Sequence, residues 1–232
     1  MVQINGVGNV LFFRSSRSRR IRLSVAPGPR TRVSYPMEVP LAEAVRFAES
    51  QSEWILQQQQ KFRNSVPSFP EETEIATRYH RVIIRRGGPK TTVKQTGFHI
   101  AISTPGDLEV GDRAVQEQIG KIMTEIYRWE ARRYLPGRLK ELAALHRFQV
   151  NRVTIRDNRT NWGSCSGKNN ISLNLHLMKL PDHLIDFILL HELAHTRVRN
   201  HGADFWKLLD SLTGNRARVL SAEIRKHSVS AG

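Results

Sequence analysis

The residues best suited to chemistry are two histidines and a glutamate in the stretch HELAHTRVRNHGADFW, residues 191–206. His191 and His195 are four residues apart, so on an α-helix their imidazoles lie on one face, one turn apart. Two ring nitrogens in that arrangement can bind one metal ion at about 2.0–2.1 Å each. Glu192 follows the first histidine, and its carboxylate can reach a water on the ion without binding the ion itself. The pattern predicts metal-dependent hydrolysis with Glu192 as the general base.

A third histidine, His201, follows six residues after the second one. The neighbouring Arg199-Asn200 and Gly202 predict that the helix ends here and that the chain turns back, which brings His201 to the same ion. The spacing HExxHxxxxxH equals that of the metzincin proteases, although Val198 stands where metzincins have a glycine. Three histidine nitrogens leave the fourth zinc position for water, as catalytic sites require. We therefore predict a Zn²⁺ site made by the three histidines, which iron or cobalt can also occupy.

The residues that precede the histidines are apolar on nearly every side of the predicted helix. They are Leu184, Ile185, Phe187, Ile188, Leu189 and Leu190. A helix that is apolar all round is buried, and buried ionisable groups need partners. Metal binding therefore explains the histidines better than a purely structural role does.

The reaction that fits such a site is hydrolysis of an amide, most simply a peptide bond. A zinc-bound water has a pKa near 7, so Glu192 can take its proton and pass it to the leaving amine. Two alternatives stay open. One is a nucleic-acid-associated protein whose zinc site is structural or is activated by DNA, and the other is a zinc amidase for small substrates. A fourth protein ligand would indicate a structural site.

The composition is that of a globular protein with a strong positive charge. The 232 residues carry a net charge of +15, and 39% of them are hydrophobic. Residues 1–37 hold seven arginines and no acid, and residues 75–106 hold six basic residues and no acid. This distribution puts most of the excess charge in the N-terminal part. Nucleic acid is therefore a candidate partner, besides a peptide or protein substrate.

The sequence also predicts the compartment. No apolar run approaches the roughly 20 residues that a membrane helix needs. The short apolar stretch near the N-terminus precedes its basic residues instead of following them, which does not fit a signal peptide. The one cysteine, Cys165, can form no disulfide within the chain, and we interpret it as a small buried residue. We expect a cytoplasmic protein with no membrane contact.

Apolar periodicity predicts an α+β fold with a boundary at Pro105-Gly106-Asp107. Residues 1–106 are predicted to form a basic, β-rich N-terminal region with a helix, and residues 107–232 a zincin-like catalytic domain with an HExxH active-site helix. The predicted strands are 20–25, 32–36, 78–86, 91–95, 98–103, 150–157 and 170–178. The predicted helices are 41–63, 112–135, 139–145, one that Pro181 opens, 202–212 and 216–227. Pro136-Gly137 is expected to interrupt a helix and Pro27-Gly28-Pro29 to make a turn, and we expect no internal repeat.

The strand predicted at 170–175 follows a small-residue turn and lies just before the helix with the histidines. One of its faces is buried, and its free edge could accept an extended substrate, although an ordinary hairpin explains the same pattern equally well. By position, Asn174 and His176 are candidates for binding substrate. Together with Arg159 they are also candidates for stabilising the oxyanion.

Several stretches resemble the YgjP-like metallopeptidases, a bacterial and archaeal family of zinc proteases. They are RSRRIRLSV, SEWILQQQQKF, NWGSCSGKNNISLNLHL and HELAHTRVRNHGADFW. The resemblance extends over residues 14–227. It is most specific at Trp162 to Ser166 and at His191, Glu192, His195, Asn200, His201, Phe205 and Trp206. It implies zinc ligation by the three histidines and a zincin-like catalytic region.

The chain departs from the usual pattern of that family at a few positions. Asn161 replaces the usual arginine before the tryptophan, Leu175-His176 stands where an aromatic-basic pair is common, and Gly202 replaces a frequent serine. These departures affect the expected substrate preference and leave the predicted metal ligands unchanged. The family is also similar to the SprT-like and WLM proteases, some of which act on proteins attached to DNA.

Overall fold

The structure is a computed structural model that describes residues 1–26, 30–64, 69–227 and 229. Its contacts divide the chain into two compact units, Met1–Val66 and Pro67–Gly232. The boundary predicted at 106/107 lies inside the second unit, because the helix that follows residue 107 packs on the sheet that precedes it. Pro27-Gly28-Pro29, the predicted turn, lies outside the described residues.

The first unit is a four-stranded sheet followed by two helices. Its elements are β1 (Val2–Ile4), β2 (Gly8–Arg14), β3 (Arg22–Ala26), β4 (Arg30–Tyr35), α1 (Leu41–Ser50) and α2 (Ser52–Asn64). The strand order is β1-β2-β4-β3, with β2 and β4 parallel and both outer pairs antiparallel. One face of the sheet and the two helices enclose a small core that includes Val10, Val33, Ala44, Ala48 and Ile55. The helix predicted over 41–63 is therefore two helices, with a break at Gln51.

The second unit begins with another four-stranded sheet and one long helix. The elements are β5 (Glu74–Ala76), β6 (Arg81–Arg86), β7 (Thr92–Thr96), β8 (His99–Thr104) and α3 (Arg113–Leu145). The strand order is β5-β6-β8-β7, with β6 and β8 parallel and both outer pairs antiparallel. Val82, Ile84, Ile100 and Ile102 of this sheet pack against the first half of α3.

The two sheets have the same topology, although the sequence shows no internal repeat. In each sheet the second and fourth strands in chain order lie side by side and parallel at the centre, and a helical segment follows. Strand order depends on which backbone edges pair. Alternating apolar residues reveal which face of a strand is buried, and they do not reveal its neighbour. The repeat is therefore visible in the pairing and not in the residue pattern.

The helix α3 continues through Pro136, so the predicted interruption at Pro136-Gly137 is wrong. A proline inside a helix removes one hydrogen bond and disfavours the helix by about 3 kcal/mol. Here Leu135 and Leu139, on either side of the proline, are fully buried in the core of the C-terminal part. Burying a leucine side chain stabilises by roughly 1.5–3 kcal/mol, so packing on both sides of Pro136 offsets its cost.

The remainder of the second unit is a three-stranded sheet with a set of short helices. It contains β9 (Arg152–Arg156), β10 (Gly163–Cys165), β11 (Asn170–Asn174), a 3₁₀ helix (Leu175–Lys179), α4 (Asp182–Ala194), α5 (Ala203–Thr213) and α6 (Ala217–Ile224). The strand order is β10-β11-β9. The strand predicted over 170–178 thus ends at Asn174, whose side chain accepts a hydrogen bond from the His176 backbone N–H and starts the 3₁₀ turn. Both edges of β11 are paired, so the free edge predicted for that strand is wrong, and the outer strands of the sheet are β10 and β9.

The α+β fold class is confirmed. The core of the C-terminal part surrounds α4, which is buried along nearly its whole length, and Arg138 of α3 holds Asp186 of α4 by two hydrogen bonds of 2.8 and 2.7 Å. Within the described residues, no helix is long and apolar enough to cross a membrane.

Glu130 of α3 is a fully buried acid that holds the segment before β6. Its carboxylate accepts hydrogen bonds from Thr77 Oγ1 (2.6 Å), from the backbone N–H groups of Arg78 (3.3 Å) and Tyr79 (3.0 Å), and from His80 Nδ1 (2.8 Å). A buried carboxylate is tolerated when several donors replace its water. Glu130 therefore fixes the segment before β6 to the long helix α3.

We predict that Glu130→Ala lowers the free energy of unfolding by about 3–5 kcal/mol, because it leaves buried donors without an acceptor. Glu125→Ala is the control on the same helix. Glu125 is exposed and pairs with Arg128 at 3.2 Å, so its loss should cost less than about 1 kcal/mol. Urea denaturation of the two variants and the unchanged protein measures both values. Similar losses for both would contradict a structural role of the Glu130 network.

Candidate metal centre

The helix α4 delivers His191 and His195 to one place at its C-terminal end. It begins after Pro181, whose φ of −64° suits a helix start, and His195 is the residue at its C-cap, with φ −65° and ψ −16°. Because His195 keeps helical dihedral angles, the spacing of four residues still places both imidazoles on one face. The ring centroids are 4.9 Å apart.

The third imidazole approaches the same point from the turn after the helix. His201 Nε2 lies 3.1 Å from His191 Nε2 and 3.2 Å from His195 Nε2, and the three potential ligand atoms lie within 4.8 Å of one another. Three nitrogens bound to one tetrahedral ion at about 2.0–2.1 Å are separated by about 3.3 Å. The nitrogen positions therefore fit ligation of a single ion.

Hydrogen bonding alone does not account for this crowding. The Nε2 atom of His201 carries either one proton or one lone pair, so it cannot make a full hydrogen bond to both neighbouring Nε2 atoms. His195 Nδ1 lies 3.1 Å from the Val198 carbonyl oxygen, to which its N–H donates. That bond assigns the proton to Nδ1 and leaves the Nε2 lone pair directed at the other two rings.

Burial keeps the rings of His191 and His195 in the form that can bind a cation. Desolvation, with smaller contributions from His195 and His201, lowers the pKa of His191 to about 4. Desolvation also lowers the pKa of His195. Neutral imidazoles at neutral pH have free lone pairs, which is what a metal ion requires.

The turn that carries His201 is held by Arg199. Its guanidinium donates to the carbonyl oxygens of Ser166 (2.7 Å) and Gly167 (3.0 Å) and to Asn169 Oδ1 (2.7 Å), all in the loop between β10 and β11. Val198 has no positive φ, so this turn does not need the glycine that metzincins place there. The loop of the hairpin and the loop of the third histidine are thus tied together.

Phe205 lies beneath the three imidazoles. It is fully buried, and its ring centroid lies 4.9 Å from that of His191, 4.5 Å from that of His195 and 4.7 Å from that of His201. Trp206 packs edge-on against Phe205 and has the Arg218 guanidinium 3.6 Å over its own ring. The start of α5 therefore limits how far the imidazoles can move apart.

Glu192 points away from water, into the protein beside the hairpin. Only 5% of its surface is exposed, and its Oε2 atom is buried with no hydrogen-bond partner among the described residues. Burial raises its pKa to about 7. A Cβ atom on Gly163 of β10 would lie 2.7 Å from the Cγ and Oε1 atoms of Glu192, so only glycine leaves room for this carboxylate.

The two residues predicted to bind substrate have other partners in the structure. Asn174 is fully buried, and its amide donates to the carbonyl oxygens of Asn158 and Asn161, both at 2.8 Å. His176 Nε2 lies 3.2 Å from Asp157 Oδ1, and burial lowers the pKa of this imidazole. Through these contacts, Asn174 and His176 hold the loop between β9 and β10. A role in substrate binding stays a prediction for both residues.

Two other sequence interpretations concern the same region. Arg159 is exposed in the loop after β9, and its role at an oxyanion stays a prediction. Cys165 is half-buried, as a small packing residue would be, and burial raises the pKa of its thiol. Its Sγ atom lies 3.6 Å from a nitrogen of Arg199.

The chain belongs to a family of metallopeptidases. The YgjP-like metallopeptidase domain matches residues 19–227, which is most of the chain, and the protein is a member of that family. The resemblance seen in the sequence is therefore confirmed. No curated protein matches the chain significantly.

Two solved structures are similar to part of the chain. The first is the metallopeptidase zymogen abylysin of Pyrococcus abyssi, with 25% identity, coverage of 40% of this chain and 92% of that chain, and a TM-score of 0.36. The second is the metallopeptidase zymogen jannalysin of Methanocaldococcus jannaschii, with 21% identity, coverage of 40% and 94%, and a TM-score of 0.35.

The structure brings the three histidines together as the sequence predicted. Two further residues of the site were not predicted: Gly163, which leaves room for Glu192, and Arg199, which holds the turn of His201. Gly163 stands in the WGSC stretch on which the family resemblance rests, and its place in that motif could have marked it as a residue of the site. Nothing in the sequence marks Arg199 as a clamp, because its partners are carbonyl oxygens and an amide about thirty residues earlier.

We predict that Gly163→Ala lowers the free energy of unfolding by about 1–3 kcal/mol, because the new methyl group overlaps the Glu192 side chain. Gly167→Ala is the matched control in the same hairpin. A Cβ there meets nothing within 4 Å, so its cost should stay within about 0.5 kcal/mol.

A double-mutant cycle isolates the contact. Glu192→Ala removes the three atoms that a Cβ at Gly163 would overlap, so Gly163→Ala should cost much less in that background. Urea denaturation of the four proteins gives the coupling. An equal cost in both backgrounds would show that the carboxylate is not what requires the glycine.

Proposed function

We propose that this protein is a zinc-dependent peptidase in which His191, His195 and His201 bind the ion and Glu192 is the general base. The observation that carries the proposal is the approach of three imidazole nitrogens to one point, next to a buried carboxylate with an unpartnered oxygen, in a chain of a metallopeptidase family. Glu192 is costly to bury without a partner, and a catalytic metal site explains both this carboxylate and the approach of the three imidazoles.

The donor set supports zinc in a catalytic site. All three candidate ligands are imidazole nitrogens, which suit zinc, and no fourth histidine, cysteine or acid of the described residues joins the group. Structural zinc sites are closed by four protein ligands. A bound zinc ion supplies a Lewis acid that polarises the substrate carbonyl and lowers the pKa of a coordinated water to near 7.

Glu192 has the properties of a residue that moves one proton in each direction. Burial raises the pKa of its carboxyl group, which makes the carboxylate a stronger base than an exposed glutamate, and its conjugate acid can still release the proton. Gly163 leaves room for the side chain, so Oε1 lies against the hairpin, and Oε2 has no hydrogen-bond partner in the part of the chain that the structure describes. In this proposal the carboxylate takes a proton from the attacking water and delivers it to the leaving amine.

The neighbouring strand gives a reason to propose an extended peptide as the substrate. β10 is one of the two outer strands of its sheet, and Gly163 in this strand lies against Glu192. An extended peptide can pair its backbone with such an edge and so bring one peptide bond near the carboxylate. A small amide could not use the strand edge, so the length of the substrate distinguishes a peptidase from a small-molecule amidase.

We predict that His201→Ala weakens Zn²⁺ binding by more than about 100-fold, because one of three ligands is lost. Competition with a fluorescent zinc chelator on metal-free protein measures the affinity directly. His183→Ala is the control, since His183 is exposed and pairs with Glu223 at 2.8 Å. Unchanged affinity in His201→Ala would remove the third ligand from the proposal.

We predict that Glu192→Gln keeps its zinc and loses turnover by about 10²–10⁴-fold, because the amide cannot accept the proton. Cleavage of an unfolded protein substrate and of short peptide amides, with metal content measured on the same samples, tests both parts. Glu223→Gln is the control, because Glu223 is a partly exposed acid on α6 that pairs with His183. Undiminished turnover in Glu192→Gln would rule out this residue as the base.

A further inference from the structure

The outer face of the first sheet, the face turned away from the core of the first unit, is open to solvent and carries apolar and cationic side chains together. Leu11 and Phe13 of β2 are 40% and 44% exposed, although both are large and apolar. Val10, the residue before Leu11 on the strand, is fully buried on the opposite face. Arg22 of β3 and Arg32 of β4 are exposed on the same side as Leu11 and Phe13.

The strand register arranges these side chains in two adjacent rows. Phe13 is the partner of Ser34, which is the partner of Arg22. One row further along, Leu11 is the partner of Arg32, which is the partner of Ser24. Residues in register share a face, so each row has an apolar side chain on β2 and a guanidinium one or two strands away.

Further positive charge lies at the end of the sheet where Phe13 is. The loop from β2 to β3 crosses the end of β4, to which it is bonded by Ser15 N–H and the Tyr35 carbonyl oxygen at 2.9 Å. This loop contains Arg17, Arg19 and Arg20, all of which are exposed. The outer face and this loop therefore form one cationic surface.

The charge of this surface is not neutralised by neighbouring acids. Residues 1–37 contain no acid, and among the described residues no carboxylate lies within ion-pair distance of the arginines on this surface. The second sheet, which has the same topology, differs. There Arg81 pairs with Glu74 at 3.3 Å and Arg85 with Glu72 at 3.7 Å.

Of the two basic segments in the sequence, 1–37 and 75–106, only the first therefore remains a candidate for binding an anion. In residues 75–106 the strand arginines have carboxylate partners, so little of their charge is free to attract an anion. Among the described residues, the arginines on the outer face of the first sheet have no carboxylate partner, so their charge and their donors stay available. Guanidinium groups with free donors bind phosphate oxygens well.

We infer that the outer face of the first sheet binds single-stranded nucleic acid, with phosphates on the arginines and a base stacked on Phe13. An exposed aromatic ring on a flat sheet offers a stacking partner that only an unpaired base can use, since bases in a duplex are already stacked. The arginines beside the ring lie where the backbone of the same strand can reach them. The surface has no other feature that selects one base, so binding tolerates many sequences.

The test is fluorescence anisotropy of the full chain with a labelled oligo(dT) of about 12 nucleotides at low salt. We expect Phe13→Ala to weaken binding about tenfold and Phe13→Tyr to retain most of it. Removing Arg22 and Arg32 should lower the slope of log affinity against log salt by about 0.7 for each arginine. The control is Arg81→Ala with Arg85→Ala on the second sheet, which should change little.

Several outcomes would overturn the inference. These are no binding at low salt, equal binding of a duplex of the same length, or an affinity that Phe13→Ala leaves unchanged while circular dichroism shows a folded chain. Equally tight binding of heparin or of vesicles rich in anionic lipid would show a general polyanion surface instead. Because the measurement needs no turnover, Glu192→Gln should bind the oligonucleotide normally, and the result is independent of the proposed peptidase activity.

Discussion

The C-terminal part of the second unit must accommodate a few partly or fully buried ionisable side chains at the end of the apolar helix α4. Eight of the nine buried residues of α4 are apolar, and the ninth is Glu192. Moving a carboxylate out of water costs free energy, and the raised pKa of Glu192 expresses that cost. A chain folded only for stability would have a hydrophobic residue at this position. The helix instead presents an acid and two imidazoles on its last turn, and neighbouring elements leave room for them.

Each neighbouring element restricts a different degree of freedom. Gly163 restricts the carboxylate, because its missing Cβ is the space that the side chain occupies. Phe205 limits the separation of the imidazoles from below, and the Val198 carbonyl fixes the tautomer of His195. Arg199 fixes the turn on which His201 stands by binding the hairpin that also contains Gly163. The hairpin thus positions both the third imidazole and the carboxylate, which explains why a small-residue turn stands before the helix in the sequence.

The parts of this arrangement that depend on local spacing could be predicted from the sequence, and those that depend on long-range pairing could not. The four-residue interval of His191 and His195 fixes their common face whatever surrounds them, and the apolar residues before them predict a buried helix. The predicted end of α3 at residue 135 was wrong, because the cost of Pro136 is local while the packing that offsets this cost comes from distant elements. The position of β11 at the centre of its sheet, the two carbonyl contacts of Arg199 and the repeated topology all depend on which distant segments meet.

The two sheets show how one topology can take different surface chemistry. In the second unit the helix after the sheet continues well beyond it, and the later residues Ala131, Leu135 and Leu139 belong to the core around α4. The helix α3 thus connects that sheet to the core around α4, and the strand residues Arg81 and Arg85 form ion pairs with acids of neighbouring segments. In the first unit the helices are short and pack on their own sheet, and among the described residues no acid pairs with the arginines of the sheet's outer face. The outer face of the first sheet therefore combines an exposed phenylalanine with guanidinium groups that no described carboxylate neutralises, whereas strand arginines of the second sheet have acidic partners.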